Sequence, residues 1–318
     1  MKKLWLMLGG CLVLLLSGCG NDSEPKLVNT QELDQEFSQI AVDYDADDVS
    51  VGFHEEDTIV LKEYMNEDKE KYYASIDEKG QELSITEGKR PRRASFQSYV
   101  ELILPATYDQ SLSVHTTSGE IDMLETKEIL QELALDTTSG KIRVGESRAE
   151  AFKLTSTSGE IDGNQLTAKK LTVKSTSGWV GLAAGEAEDF RIETTSGSTE
   201  LVELTGPIAY VTKSGTLTAS GLTGGGSFEA TGEGEMELGF TKINQDITLN
   251  AKNGDLDLSM PADASCEISA RTKEGEIQTD NFSELTSDKE EVSGELESNP
   301  AYKVTLETRN GDIRLTTD

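Results

Sequence analysis

The chain has few of the residues on which most enzymes and metalloproteins depend. Its 318 residues include 2 histidines, 3 cysteines and 6 prolines, and aromatic residues make up 6%. No G-x-S-x-G, phosphate-loop, H-E-x-x-H or paired C-x-x-C motif is present. We therefore expect a protein that is not an enzyme and that uses no cofactor.

The few cysteines exclude an internal disulfide framework. Cys11 lies in an apolar N-terminal segment and Cys19 follows that segment, so only Cys266 remains in the body of the chain. Cys266 alternates with small and apolar residues in the sequence ASCEISA, and no cationic residue flanks it. This setting is typical of a buried, unreactive thiol.

Basic residues are scarce relative to acidic ones. The chain has 59 Asp and Glu against 29 Lys and Arg, a formal net charge of −30. Such a charge opposes binding to nucleic acid and electrostatic adhesion of the whole body to an anionic surface. We expect no nucleic-acid partner.

The chain is instead rich in one repeated phrase. It begins as TTSGEID at residues 116–122, recurs with variations, and ends as AKNGDLD at residues 251–257. A repeat of about 20 residues is typical of a solenoid, in which each coil buries its apolar face only against its neighbours. The repeat glycines are 18 to 21 residues apart, at Gly119, Gly140, Gly159, Gly178, Gly197, Gly215, Gly234, Gly254 and Gly275.

Apolar and polar residues alternate on both sides of each repeat glycine. The positions seven and five residues before the glycine, and two and four residues after it, are mostly Leu, Ile, Val or Phe. This period of two predicts half-buried strands, and the glycine marks a corner that needs a positive φ or a close backbone approach. We predict an all-β fold, a single-stranded parallel β-helix (β-solenoid) of nine or ten coils.

A hydroxyl-bearing residue stands three positions before most of the repeat glycines. Its parity points it inwards, so we predict a ladder of hydroxyl groups paired along the stack. The coil around Gly234 fits imperfectly, because Phe228 and Ala230 are one residue out of register, and this predicts a β-bulge. The predicted ladder contains Thr116, Thr137, Ser156, Ser175, Thr194, Thr212 and Thr231.

The N-terminus has the pattern of a secretory signal peptide. Lys2 and Lys3 precede an apolar run over residues 4–16, which is too short for a stable membrane-spanning helix. The run ends in LSGC at residues 16–19, which resembles the lipobox of bacterial lipoproteins.

The lipobox resemblance implies cleavage before Cys19 and attachment of lipid to its sulfur. Acyl chains would then hold the protein at the extracytoplasmic face of the cell membrane. We predict a signal peptide over residues 1–18, and an acylated cysteine with a polar tether over residues 19–30.

The rest of the chain divides into a cap and a repeat region. Residues 31–110 contain short alternating runs separated by polar clusters, which predict a β-rich N-terminal cap over one open end of the solenoid. The repeats occupy residues 111–318. A longer step after Gly275 holds one coil and a polar excursion over residues 279–300, before a last repeat around Gly311.

Three features occur together between about residues 40 and 315. They are an LILP step at residues 102–105, the iterated T-S-G-E-I-D coils, and a terminal SGEL followed by VTLETRNGDIRL. Together they resemble the bacterial putative-adhesin family of uncharacterised envelope proteins. The resemblance implies a parallel β-solenoid, brings no catalytic residues, and includes relatives encoded beside envelope-stress signalling systems.

Several side chains are candidates for surface contacts. The basic segment GKRPRR at residues 88–93 either balances nearby carboxylates, which we favour, or contacts an anionic lipid or wall polymer. Trp179 either stacks on a sugar or, as we favour, covers Gly181 on the same strand face. His115 is expected one coil above Asp136, where the two would form an exposed ion pair.

Charges along the stack form a further pattern. The N-terminal coils alternate in sign after the glycine, which predicts salt ladders along the stack. The C-terminal coils place only acidic residues there, either as a solvated face, which we favour, or as a site for a hard divalent cation such as calcium. The two sets are the alternating Glu120, Lys141, Glu160, Asp122, Arg143 and Asp162, and the acidic Glu235, Glu237, Asp255, Asp257 and Glu276.

These observations predict a lipid-anchored surface protein of the cell envelope with an adhesin-like binding or scaffolding role. Expected partners are the membrane, through the anchor, and a cell-wall polymer or envelope protein. Two alternatives stay open. One is an accessory of envelope-stress sensing, and the other, less favoured, is a polysaccharide-acting β-helix enzyme, which would need a cleft with clustered carboxylates and a base.

Overall fold

The computed structural model describes residues 24–282, 285–296 and 299–317, and the structural statements below concern these residues. Their regular structure is β-strand apart from one 3-10 turn at Glu70–Tyr72, and none of their helices could cross a membrane. The strands are β1 Lys26–Leu33, β2 Gln39–Tyr44, β3 Asp48–His54, β4 Ile59–Met65, β5 Ser75–Lys79, β6 Glu82–Thr86, β7 Ser98–Pro105, β8 Ser111–Thr116, β9 Ile121–Glu125, β10 Leu130–Thr137, β11 Ile142–Ser156, β12 Ile161–Asn164, β13 Leu166–Ser175, β14 Val180–Ala183, β15 Glu186–Thr194, β16 Ser198–Val202, β17 Thr205–Thr212, β18 Thr216–Glu233, β19 Met236–Asn253, β20 Leu256–Met260, β21 Cys266–Glu274, β22 Ile277–Asp280, β23 Thr286–Ser287, β24 Glu291–Leu296, β25 Tyr302–Asn310 and β26 Ile313–Thr317.

Most strands stack into two parallel ladders that run the length of the molecule. One ladder holds the strand before each corner, and the other holds the strand after it. The fold is therefore a parallel β-solenoid, as predicted, but its described part has twelve coils rather than nine or ten. In spatial order the coils are β6/β7, β2/β3, β8/β9, β10/β11, β11/β12, β13/β14, β15/β16, β17/β18, β18/β19, β19/β20, β25/β26 and β21/β22.

The register of the ladders stacks the predicted apolar columns into one continuous core. Each column places its side chains directly above one another, and their alternation with outward polar residues follows from the two-residue period of a strand. Burial of these side chains drives the winding of the chain, since each coil contributes apolar area only through its neighbours. Two of these columns contain residues that pair from coil to coil and are at most 1% exposed. They are Leu112, Leu133 and Phe152 in one column and Ile121, Ile142 and Ile161 in another.

The N-terminal region contains two coils that the prediction of a cap over residues 31–110 did not include. Strands β2 and β3 stack in parallel register on β8 and β9, and β6 and β7 add a further coil outside them. Only the outermost edge is antiparallel, with β4 on β7, β1 on β4, and β5 on β6. These coils lack the T-S-G phrase at their corners, so the repeat pattern does not reveal them.

The first strand also shortens the predicted tether. Residues 26–30, predicted to belong to the tether, lie in β1, which pairs with β4. A tether can therefore extend only as far as residue 25.

The last repeat is not the terminal coil of the stack. Strands β25 and β26 lie between β19/β20 and β21/β22, so the chain forms the outer coil first and then returns to fill the layer beneath it. The coil of Gly311 therefore separates the coils of Gly254 and Gly275, which the repeat order alone would make neighbours.

The polar excursion predicted over residues 279–300 begins in β22 and contains two further strands at the C-terminal end of the stack. Its strands β23 and β24 pair antiparallel with each other, and β24 pairs antiparallel with β21. Strand β24 therefore covers the outer edge of β21, which would otherwise expose a row of unpaired backbone groups.

Candidate binding surface

The repeat glycines form a tight column at the corner between the two ladders. A Cβ on Gly159 would overlap the carbonyl oxygen of Gly140, and a Cβ on Gly178 would overlap that of Gly159. We expected a positive φ at Gly159, but the positive-φ corner glycines are Gly197, Gly254 and Gly311. At Gly159 glycine is required because the next coil approaches closely, not because of its own φ.

The hydroxyl groups three positions before the glycines are mostly used inside their own corner. The Thr137 Oγ1 accepts a hydrogen bond from the Gly140 N–H at 3.0 Å, and the Ser156 Oγ accepts one from the Gly159 N–H at 2.8 Å. Hydrogen bonds between coils occur as well, for example from Thr116 Oγ1 to Thr137 Oγ1 at 3.2 Å. The predicted ladder is therefore a set of closed turns with a few links between coils.

The predicted ladder ends earlier than expected. The register of β18 and β19 shifts between Ala230 and Glu233, which confirms the bulge near Gly234. Before this shift Ala230 pairs with Thr212 and takes the inward position, and Thr231 is exposed.

The outer residues of the T-S-G corners form two adjacent rows. The serines just before the glycines bond to the preceding coil, as Ser158 Oγ does to the Thr138 carbonyl at 3.2 Å. The threonines two positions before the glycines are exposed, and their hydroxyl groups have no hydrogen-bond partner among the described residues. We call these threonines the threonine row, which consists of Thr117, Thr138, Thr157, Thr176 and Thr195.

The alternating charges of the N-terminal coils form the predicted salt ladders. Arg143 pairs with Glu120 and with Asp122, and Lys141 pairs with Glu160 at 2.6 Å and with Asp162 at 3.4 Å. These side chains are partly exposed, so each pair contributes at most about 1 kcal/mol.

The acidic residues proposed as a cation site are arranged differently from the prediction. Glu237 and Asp257 are direct neighbours, but the next residue in their row is Arg314. Asp312 likewise follows Asp255, and its backbone N–H donates to the Asp255 Oδ1 at 2.8 Å. Among residues 24–282, 285–296 and 299–317, no group of three or more His, Cys, Asp or Glu is placed to hold a metal ion.

The carboxylates of this face have a structural use instead. The Asp312 Oδ1 accepts the Glu276 backbone N–H at 2.8 Å, and at the opposite end of the stack the Asp48 Oδ1 accepts the Glu120 N–H at the same distance. Partial burial and the neighbouring Glu237 raise the pKa of Asp257. An aspartate just after the corner therefore ties its coil to the next one.

Three other features predicted from the sequence are present in the structure. The ring of Trp179 lies over Gly181, where a Cβ would overlap it, so the indole covers the strand glycine. His115 Nδ1 lies 2.5 Å from Asp136 Oδ1 in the next coil. Cys266 is fully buried, and burial raises the pKa of its thiol to about 11.

The basic segment at residues 88–93 lies over the N-terminal end of the corner column. Arg90 is buried, and its guanidinium lies 2.9 Å from the Glu63 Oε1 and 3.1 Å from the Asp47 Oδ2. Arg92 is 92% exposed, and Arg93 pairs with Glu67. Arg90 therefore balances nearby carboxylates, which is the interpretation that we favoured for the segment. Arg92 instead extends into solvent.

Glu63 is the best-satisfied member of this buried cluster. It is 0% exposed and accepts hydrogen bonds from Asn29 at 2.8 Å and from the Ala74 N–H at 2.9 Å, in addition to Arg90. Sequence reasoning missed Glu63, although a signal exists, since it stands on the apolar face of the strand sequence IVLKEYM.

A cleft of about 1020 Å³ opens beside the buried cluster. Burial raises the pKa of Asp47 and of Glu87, and the Arg90 charge opposes this rise in both. The Tyr44 hydroxyl is buried and has no hydrogen-bond partner among the residues that the structure describes, and the Arg90 guanidinium lies 5.8 Å from the centre of the Tyr44 ring. Five acidic and four basic side chains line the cleft, so it has no strong preference for ligands of either charge.

The stacked coils define a class, the parallel β-solenoid repeat proteins. Within that class the chain belongs to the Toastrack DUF4097 family, whose model matches residues 37–316. No curated protein matches the chain.

Several solved structures are similar to this chain at low identity. A putative adhesin from Parabacteroides distasonis is 14% identical, with a TM-score of 0.48, over 90% of this chain and 96% of that one. A putative lipid binding protein from the same species is 10% identical, with a TM-score of 0.47, over 92% and 97%. A putative cell adhesion protein from Clostridium sporogenes is 12% identical, with a TM-score of 0.25, over 93% and 100%. The family assignment rests on the family model.

Proposed function

We propose that this protein is a lipid-anchored surface protein of the bacterial cell envelope that acts by binding, without catalysis. Cys19, the proposed lipid attachment site, lies outside the described residues, and its lipobox sequence supports the anchor. With β1 beginning at Lys26, only a short segment separates Cys19 from the solenoid. The anchor would thus hold the N-terminal end of the stack close to the membrane, with the proposed partner a cell-wall polymer or an envelope protein.

The threonine row is the observation that carries the binding role. The fold uses the hydroxyl groups three positions and one position before each glycine, whereas those of the threonine row have no partner in the described part of the chain. Neighbouring coils lie ~4.8 Å apart, so the row presents evenly spaced hydrogen-bonding groups along a rigid edge. A polar polymer lying along the stack could bond to several of them at once.

One experiment tests the anchor and the binding surface separately. It compares wild type, Cys19→Ala, and a Thr138→Val, Thr157→Val, Thr176→Val triple variant for membrane retention and for sedimentation with purified bacterial cell walls. Cys19→Ala should leave the membrane fraction and still sediment with walls. The triple variant should keep its membrane anchor and lose at least half of its wall binding, since valine keeps the threonine shape without the hydroxyl.

A matched control uses exposed threonines elsewhere on the solenoid. Thr167→Val, Thr216→Val, Thr218→Val removes the same number of hydroxyl groups outside the row and should leave wall binding unchanged. Equal binding by both triple variants would contradict the proposed surface, and membrane retention of Cys19→Ala would contradict the anchor.

A further inference from the structure

A groove of about 610 Å³ near the C-terminal end of the stack carries an unusual row of positive charge. One wall is formed by Lys252, Arg309 and Lys273, all two positions before their corner glycines and all exposed. Ala230, Ala251 and Thr308 line the groove as well, and they occupy the inward corner position in their coils. We call this the basic groove.

The return of the last repeat builds the row. Ala251 pairs with Thr308 and Asn253 with Asn310, so Arg309 lies beside Lys252. On the other side of β25, Thr272 pairs with Thr308 and Glu274 with Asn310, so Lys273 lies beside Arg309. Three cations therefore stand on three successive coils, each ~4.8 Å from the next strand.

The three adjacent cations destabilise the fold, and no ion pair with a described residue offsets this cost. Like charges directly opposite each other on neighbouring strands are destabilising. None of Lys252, Lys273 and Arg309 forms an ion pair or a side-chain hydrogen bond with a described residue. In the N-terminal coils, by contrast, Lys141 and Arg143 each face acidic partners in adjacent coils.

The acidic side chains near the groove do not cancel the row. On the opposite wall Arg271 pairs with Glu291 at 3.1 Å, and Glu307 and Glu229 also line the groove. The lining residues comprise four cations and two carboxylates, a balance of 4 − 2 = +2. The remaining acidic surface of the chain is screened beyond roughly 8–10 Å at physiological salt, so the local charge governs what the groove attracts.

We propose that the basic groove binds an extended phosphate-bearing polymer that lies along the stack. The proposal deepens the proposed function and rests on it, since it names the chemical class of the surface ligand. The planar guanidinium of Arg309 can bind two phosphate oxygens at once, and the flanking lysines supply point charges on either side. A chain with regularly spaced phosphates can contact all three cations, whereas an isolated anion reaches only one or two.

Titration calorimetry with a short-chain polyphosphate tests the proposal. The purified full-length protein in detergent is compared with a Lys252→Gln, Arg309→Gln, Lys273→Gln variant and with a control variant, Lys170→Gln, Arg148→Gln, Lys242→Gln. Both variants lose three exposed cations, but only the first loses the row. We expect at least a tenfold loss of affinity in the groove variant and less than a threefold loss in the control.

The salt dependence of binding gives a second readout. Loss of three phosphate contacts should reduce the slope of log K against log salt concentration by about 2, because fewer counterions are released on binding. Equal affinity of the two variants, or no binding by wild type at low salt, would overturn the proposal. Tighter binding of polyglutamate than of polyphosphate would overturn the phosphate assignment.

The outcome can be separated from that of the proposed function. Wall binding that depends on the threonine row while polyphosphate fails to bind would refute the basic groove alone. Polyphosphate binding with no retention of wild type on walls or membranes would support the groove and refute the surface role.

Discussion

Replacing Arg90 by methionine is expected to lower the free energy of unfolding by roughly 3–5 kcal/mol, the cost of removing one partner from a buried ion cluster. Asp47 and Glu63 would remain buried without a cation, at 4% and 0% exposure. The measurement is urea unfolding followed by circular dichroism. The loss should be smaller at pH 4.5 than at pH 7, because burial raises the pKa of Asp47 and the Arg90 charge opposes that rise, so Asp47 protonates more readily once Arg90 is replaced.

Arg92 provides the matched control for this prediction. It lies two residues away in the same segment, but its side chain is 92% exposed and its contact with Asp45 is 3.6 Å long. Arg92→Met should therefore change the unfolding free energy by no more than about 0.5 kcal/mol. Similar losses for the two variants would mean that the Arg90 cluster does not hold the N-terminal coils together.

The second large effect is expected at the corner column. Gly159→Val places a Cβ against the carbonyl oxygen of Gly140, and the stacked backbone has no room to move away. The expected cost is about 1–3 kcal/mol, the range for overpacking in a well-packed site. Thermal unfolding measured by calorimetry gives the difference directly.

Two substitutions bracket the corner prediction. Gly52→Val makes the same chemical change at a strand glycine whose Cβ would meet nothing within 4 Å, so it should be nearly neutral. Glu160→Gln removes one partner of Lys141 on the exposed ladder and should cost at most about 1 kcal/mol. If Gly52→Val and Gly159→Val destabilise equally, close backbone approach is not what requires glycine at the corner.

The central coils could be predicted from the sequence because every level of pattern agrees there. Alternation places Leu133 and Ile142 inside, the T-S-G phrase places the corner, and the signs of Glu120, Lys141 and Glu160 fit a one-coil register. The local sequence pattern and the stacking of the coils favour the same register, so the repeat period is sufficient to align the coils.

The order of the end coils could not be predicted in this way. Every coil has the same alternation of apolar and polar residues, so it can stack on any other coil. The repeat pattern alone therefore does not predict the order in which the coils stack. The order depends instead on single contacts, such as the Asp255 side chain on the Asp312 N–H. At the N-terminus, Asp45 and Asp47 occupy the corner that T-S-G occupies elsewhere, and the repeat pattern has no signal for that coil.

The burial of Arg90 in the basic segment could not be predicted from the sequence for a related reason. A run such as GKRPRR predicts an exposed loop, because charged side chains are almost never buried unless paired. The partners of Arg90 come from two other strands and a corner, which the local sequence does not connect. The row of Lys252, Arg309 and Lys273 likewise forms only when the last repeat returns between two earlier coils.

The insertion of the last repeat is the central structural claim, and disulfide trapping tests it most directly. In a Cys266→Ala background, the Lys252→Cys, Arg309→Cys pair lies on adjacent strands ~4.8 Å apart, within the span of a disulfide, whereas the Lys252→Cys, Lys273→Cys pair lies two strands apart, roughly 9.6 Å, which is too far. Mild oxidation should therefore crosslink the first pair and leave the second reduced. Rapid crosslinking of the second pair without the first would show that the coils stack in the order of the sequence, and would contradict the inserted coil.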